Sequence, residues 1–353
     1  MNSTPTGPAG QLSNRRNALV RRAWLGVATA CGAVFAVGAL GATTATPLGP
    51  EGGSIVSINV RPGLVLVKPG DEDIVGDPRA TRFAWASPDQ GLTWRQATAS
   101  ERRSFREPQP TDPVRHPSIR RVRYSIGFDR ATFTDTFRVS FDGGRTYAVR
   151  NRRAFVNINV GALAILATRR PTLLVGVGEG SDVSPMGIRR SVDGGRSWRT
   201  TTGITGRVYD IWADPVRPNV VYALADPPSG STRLFRSTTS GATWTAVGKG
   251  LPRMLDTVVP TISISRARPW VLLSADGNGV YRSTDSGSTW RRVLLTLATS
   301  VAHEPTNSAI VYAGTLNGMY RSADGGRTRH LSNRGLLASN VFSISVAGAP
   351  TRI

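Results

Sequence analysis

The sequence predicts an all-β domain in which one four-stranded unit is stacked six or seven times around a ring, preceded by a single apolar helix. Three observations carry this. A turn phrase recurs six times at steps of 53, 51, 46, 46 and 39 residues, β-forming runs flank each copy, and one uncharged twenty-residue stretch lies near the start. The phrase has the form Ser-x-Asp-x-Gly-x-Thr-Trp, with Asp-Gly or Ser-Gly at its turn. That is the chemistry of a strand, a tight turn and a return strand.

Residues 1–22 are polar and basic, ending in Arg15, Arg16, Arg21 and Arg22. Residues 23–42 (AWLGVATACGAVFAVGALGA) carry no charge and are just long enough to span a bilayer. Basic residues ahead of an apolar stretch keep the amino end in the cytoplasm and send the rest outward. The stretch therefore reads as a transmembrane anchor or an export signal, with a weak cleavage site near Thr43-Thr44-Ala45. Cys31 lies inside it and reads as a small apolar side chain. Residues 43–54 read as a linker, and 55–353 as the repeat domain.

The copies then follow in order: Ser87 to Trp94, Ser140 to Tyr147, Ser191 to Trp198, Ser237 to Trp244, Ser283 to Trp290 and Ser322 to Arg329. An Asp at the third position (Asp89, Asp142, Asp193, Asp285, Asp324) can accept backbone N–H bonds within the turn, and Gly supplies positive φ. The closing aromatic (Trp94, Tyr147, Trp198, Trp244, Trp290) is too large for one hairpin to bury, so it needs a neighbouring unit. Three copies depart from the pattern: Thr239 replaces the Asp, and Tyr147 and Arg329 replace the final Trp. Past the last copy, Val341 to Val346 reads as one further inner strand, either closing the ring or beginning a seventh unit.

The phrase resembles the Asp-box, or BNR repeat, of sialidase-type β-propellers. The longer pattern Asp214-Pro-Val-Arg-Pro-Asn219-Val-Val-Tyr222 through Trp244, echoed from Glu304 to Tyr312, is similar to the repeats of Vps10/sortilin-type domains. Xyloglucanase-type glycosidases and Ycf48/HCF136-type assembly factors carry similar repeats. The resemblance covers roughly residues 55–353 and implies a six- or seven-bladed β-propeller with Asp-box hairpins. Arg21-Arg22-Ala-Trp-Leu25 likewise resembles a twin-arginine export signal.

Composition narrows function less. Net charge is +21, four of it from the amino-terminal arginines, and only Lys68 and Lys249 are lysines. From Arg95 to Arg153 arginine is dense, and Ser100 to Ser118, with four prolines, reads as a long loop insertion. Arg102, Arg103, Arg106, Arg115, Arg120, Arg121 and Arg123 make this the best candidate face for an anionic partner. That partner would be a protein or an anionic cell-surface glycan. Export and the lack of a reading motif disfavour nucleic acid, and no cofactor is expected. No Cys follows residue 50, so no disulfide is available to the domain.

For catalysis the resemblance implies, in sialidases, three Arg, a Tyr–Glu nucleophile pair and an Asp. The nearest match to their Arg-Ile-Pro signature, Phe105-Arg106-Glu107-Pro108, follows the first copy and lacks the Ile. The xyloglucanase-type enzymes need two carboxylates across a cleft between two propellers. Asp210, at the start of an inner strand, and Asp256, at the comparable place one unit later, are the candidates, with Glu179 a further carboxylate. His116, His303 and His330 fall in unrelated repeats without metal-ligand spacing. The reading that follows is an exported, non-catalytic binding or assembly platform for a protein or glycan. The alternative is a glycoside hydrolase of the exo-sialidase or xyloglucanase type.

Overall fold

The structure, a computed structural model, describes residues 54–62, 64–70, 85–104, 111–130, 134–155, 158–178, 186–227, 232–252, 260–315, 318–332, 340–341 and 344–346. The apolar segment 23–42, Arg106, Glu179 and Asp256 lie outside these residues.

The described chain is all-β apart from two short helical turns, and its strands form six sheets. The first sheet holds β1 (Ser54–Arg61), β2 (Leu64–Gly70), β3 (Trp85–Ser87) and β4 (Arg95–Gln96). After helix α1 (Ala99–Ser104), the second holds β5 (Val114–Arg115), β6 (Arg123–Asp129), β7 (Thr134–Ser140) and β8 (Ala148–Val149). The third holds β9 (Val160–Leu166), β10 (Thr172–Val177), β11 (Ile188–Ser191) and β12 (Arg199–Thr200). The fourth holds β13 (Arg207–Ala213), β14 (Val221–Asp226), β15 (Arg233–Ser237) and β16 (Thr245–Val247). The fifth holds β17 (Thr261–Ile264), β18 (Leu272–Asp276), β19 (Gly279–Ser283) and β20 (Arg291–Leu294). The sixth holds β21 (Ala298–His303), β22 (Val311–Thr315), β23 (Gly318–Ser322) and β24 (His330–Leu331). Two last strands, β25 (Asn340–Val341) and β26 (Ile344–Val346), pair in parallel with β1. Of the two fates open to the final strand, pairing with the first sheet is the one observed.

Every third strand ends on the Ser that opens a copy, and every fourth begins just after its eighth residue. The turn between them repeats one set of hydrogen bonds. In the five Asp copies the Ser hydroxyl donates to Asp Oδ1 at 2.7–2.8 Å. It accepts the N–H of the fifth-position Gly at 2.7–3.0 Å in all six. The Asp carboxylate accepts the seventh residue's N–H and, at 2.5–2.7 Å, its hydroxyl. Thr239 takes the Asp role with a hydroxyl that accepts Thr243 N–H at 2.9 Å.

These bonds favour the ionised carboxylate. At Asp89, Asp193, Asp285 and Asp324 burial pushes the pKa up and the hydrogen bonds overcome it, bringing Asp89 and Asp193 down to about 2. At solvent-open Asp142 the Thr146 hydroxyl is the leading cause of the same downward shift.

The turn also docks the next sheet. The fourth residue adopts positive φ even where it is not Gly (Gln90 58°, Ser240 53°, Ser286 58°), which aims its carbonyl backwards at the preceding sheet. The Arg just before a copy's Ser donates to that carbonyl in the following copy. Arg190 reaches Ser240 at 2.8 Å, and Arg236 reaches Ser286, Arg282 reaches Gly325 and Arg321 reaches Gln90 at 2.9 Å. The last of these joins the sixth sheet to the first, as do Trp94 Nε1 to Ser332 O at 2.9 Å and Tyr312 OH to Gln90 O at 2.9 Å. Apolar packing follows the same path. Trp198 meets Phe137 edge-on at 5.0 Å, Trp244 lies in the cluster with Leu174 and Ile204, and Trp290 packs with Tyr222 and Leu234.

Within the stretch read as a loop from Ser100 to Ser118, the described residues include part of a helix and a short strand. Thr98-Ala-Ser-Glu101 is a capping box: Thr98 N–H donates to Glu101 Oε2 at 2.7 Å, and Glu101 N–H to Thr98 Oγ1 at 3.3 Å. This starts α1, and Val114, 2% exposed, is the anchor of β5. Of the three His, His116 occupies a position that recurs in other sheets. In the turn after the first strand, His116, Asp214, Ser265 and Glu304 each receive the backbone N–H of a residue two or three further on. The turn requires only an acceptor, which imidazole, carboxylate and hydroxyl all provide. His303 precedes Glu304 and is fully buried, which lowers its pKa to about 3.

Two outcomes are expected. Trp244→Ala, at a site 3% exposed, costs about 3–5 kcal/mol in denaturant unfolding. The turn carboxylates, depressed from 3.8, stabilise the fold above that pH, and the contribution fades as pH falls toward about 2. The Tm followed by circular dichroism drops across this window, and less steeply in Asp193→Asn.

Candidate functional site

Antiparallel order puts the copies and the first-to-second turns at one end of each sheet. The second-to-third loops and the links between sheets attach at the other. At that second end, β13 carries a bulge between Val208 and Asp210 that makes Tyr209 the extra residue. A bulge breaks the two-residue alternation and re-aims side chains. Close packing permits it: a Cβ on Gly161 would lie 2.0 Å from Val208 O, so only Gly lets β9 pass there.

The consequence is a compact polar network on Asp226, the last residue of β14. Arg207 pairs with Asp226 Oδ2 at 3.0 Å, and the Tyr209 hydroxyl donates to the same oxygen. The Thr232 hydroxyl donates to Oδ1, and the Arg207 guanidinium stacks over the Tyr209 ring at 4.3 Å. Arg207, Tyr209 and Asp226 are all half-buried, so the network has a solvent side. An amphipathic ring beside charged donors and a carboxylate suits a polyhydroxylated ligand.

Asp210 adjoins the network but is only 8% exposed, and its Oδ1 accepts the N–H of Ile211 at 2.7 Å. Glu179 and Asp256 lie outside the described residues. Asp135, at the start of β7, accepts Val160 N–H at 2.7 Å, and burial pushes its pKa up. It ties the second sheet to the third. Among the described residues no group of three His, Cys, Asp or Glu side chains could hold a metal ion.

The arginines of the sequence-predicted face divide between two segments. Arg102 and exposed Arg103 are on α1, with Arg102 donating to Ala97 O at 2.7 Å. Exposed Arg115, Arg120 and Arg121 and half-buried Arg123 surround the turn between β5 and β6. Gly143 of the second copy donates to Arg121 O there, at 2.8 Å. Arg207, Tyr209 and Asp226 were not singled out from the sequence. The available signal was Arg-x-Tyr ahead of Asp210, with a second Asp closing the paired strand.

The fold is that of a β-propeller. No family model matches the chain. Over 106 residues it is 35% identical to a probable oligoxyloglucan-reducing end-specific xyloglucanase of Neosartorya fischeri, covering 29% of this chain and 12% of that protein. A GH74 enzyme from Niastella koreensis superposes with a TM-score of 0.51 at 14% identity, over 80% of this chain and 47% of that one. A YCF48 structure with a bound D1 peptide gives 0.44 at 14% identity, over 84% and 87%. The chain thus spans less than half the length of the two glycoside hydrolases.

The network gives a direct expectation. Asp226→Ala strands three donors and lowers stability by about 1–3 kcal/mol, and Tyr209→Phe by about 0.5–1.5 kcal/mol. Urea unfolding of both variants and the pair together measures the coupling.

Proposed function

We propose that this propeller acts on extracellular glycans of the β-glucan class as one wall of a glycoside-hydrolase site, the alternative reading of the sequence. The observation that carries the proposal is the 35% identity over 106 residues to a probable oligoxyloglucan-reducing end-specific xyloglucanase. In this reading Tyr209 and Arg207 contact sugar rings and hydroxyls at the mouth of the fourth sheet. Asp226 holds both in position through its hydrogen bonds. Glycosidic hydrolysis needs two carboxyl groups, about 5–5.5 Å apart for retention and about 6.5–9.5 Å for inversion. Asp210 is one candidate, and Glu179 or Asp256 supplies the second.

The non-catalytic platform is the second reading, and one observation favours it: Asp226 and the five turn carboxylates are all held by hydrogen bonds that fold the chain. In that form the propeller binds a protein or an anionic cell-surface glycan, with Arg103, Arg115, Arg120 and Arg121 as its exposed cations. Under either reading residues 23–42 export the domain, as a retained anchor or a cleaved signal. Six blades, closed by β25 and β26 on β1, complete the ring.

The test is reducing-end release from xyloglucan oligosaccharides by the purified full chain, with binding measured in parallel by calorimetry. Turnover is expected, with KM raised severalfold in Tyr209→Phe and kcat lost in Asp210→Asn. Binding without turnover moves the assignment to the platform reading. Neither binding nor turnover removes the glycan assignment.

A further inference from the structure

The junction between the fifth and sixth sheets lacks a part that the other box positions have. Five of the six copies close with an aromatic residue, and Trp198, Trp244 and Trp290 reach back into the apolar layer shared with the preceding sheet. The sixth closes with Arg329. Its guanidinium turns aside to donate to Arg327 O at 3.0 Å. Behind it lies an apolar cleft, lined by Leu273, Val280 and Leu294 from the fifth sheet and Val311, Ala313 and Tyr320 from the sixth.

With Arg329 in place the void is ≈ 20 Å³, room for a single water. Arg329 is half-buried and itself lines the cleft, so its outward swing would open the rest of the space. Two further features mark this rim. Leu331 pairs with Tyr320 across β23 and β24, so both side chains are on the cleft side of the sheet, yet Leu331 is 60% exposed. Leu295, just past β20, is 74% exposed, the most exposed large apolar side chain among the described residues. At the preceding junctions the residues after the fourth strand, Ile204 and Leu251, pack in the clusters of Trp244 and Trp290.

We propose that this cleft is a binding site for an aryl carboxylate. The aromatic ring takes the volume that an indole fills at the other junctions, held between the two sheets by dispersion and burial. Arg329, displaced to the mouth, pairs with the carboxylate through a charge-assisted bond and covers the ring edge. The site is separate from the Asp226 network and does not depend on the glycan reading.

The experiment is titration of the purified full chain with indole-3-propionate, followed by ligand-observed saturation-transfer NMR. Saturable binding is expected, weakened about tenfold by Arg329→Gln. Indole-3-propanol, which lacks the charge, binds the parent and Arg329→Gln equally. Arg329→Trp fills the cleft from within and abolishes binding of both probes. Ala313→Leu narrows it from the opposite wall and serves if the Trp variant does not fold. Acetyl-Trp-Glu-amide binding tighter than indole-3-propionate assigns the ligand to a polypeptide segment, and the reverse order assigns it to a free aromatic acid. No binding by the parent, or undiminished binding by Arg329→Trp or Ala313→Leu, overturns the proposal.

Discussion

The carbonyl at the fourth position of each repeated turn is the point on which the rest of this structure depends. Two local bonds hold the turn: Ser to Asp, and Gly N–H back to Ser. They force consecutive positive φ at the fourth and fifth residues. The fourth carbonyl is thereby left without a partner inside its own hairpin and aimed at the sheet before it. From the third sheet onward the preceding Arg meets it, and at the sixth this contact closes the ring onto the first. A buried carbonyl must find a donor. The Arg–carbonyl bond therefore makes hairpin geometry and sheet order parts of one constraint.

The same contact changes what the arginine excess means. Arg190, Arg236, Arg282 and Arg321 occupy equivalent places and hold neighbouring sheets together, and Arg217 caps its own turn through Asp214. A guanidinium suits this use because it satisfies several acceptors at once, as Arg217 does with Asp214, Ser286 and Pro269. Part of a net charge of +21 is thus structural, and only the exposed remainder is available to a partner. The first and second copies have Ala86 and Val139 where the others have Arg, so the repeat is least regular where the arginine-dense insertion occurs.

Departures from the repeat carry the individuality of the chain. Thr239 shows that the turn tolerates loss of its carboxylate when a hydroxyl keeps the acceptor. Arg329 shows the opposite case, where a guanidinium in place of an indole leaves a cleft. The bulge at Tyr209 gathers Arg207, Tyr209 and Asp226 into a network that no other described sheet reproduces.

Much of the fold was legible in the sequence because its determinants are local. Ser, Asp, Gly and Thr act on one another within four residues, so the eight-residue phrase specifies a hairpin wherever it occurs. Its recurrence then implies stacked sheets. The Thr98–Glu101 capping box was equally local and was hidden by the prolines downstream. The candidate sites were not legible in this way. Asp210 stood out as an acid at the start of an inner strand, yet a bulge leaves it nearly buried and makes Asp226, sixteen residues on, the centre of the polar network. The bond from Arg190 to Ser240 spans fifty residues, and the cleft at Arg329 depends on how two sheets meet. By itself the sequence determined the turn and its recurrence along the chain. The tertiary structure alone decided which side chains face one another across sheets, because register, bulges and close packing are settled only when neighbouring sheets are in contact.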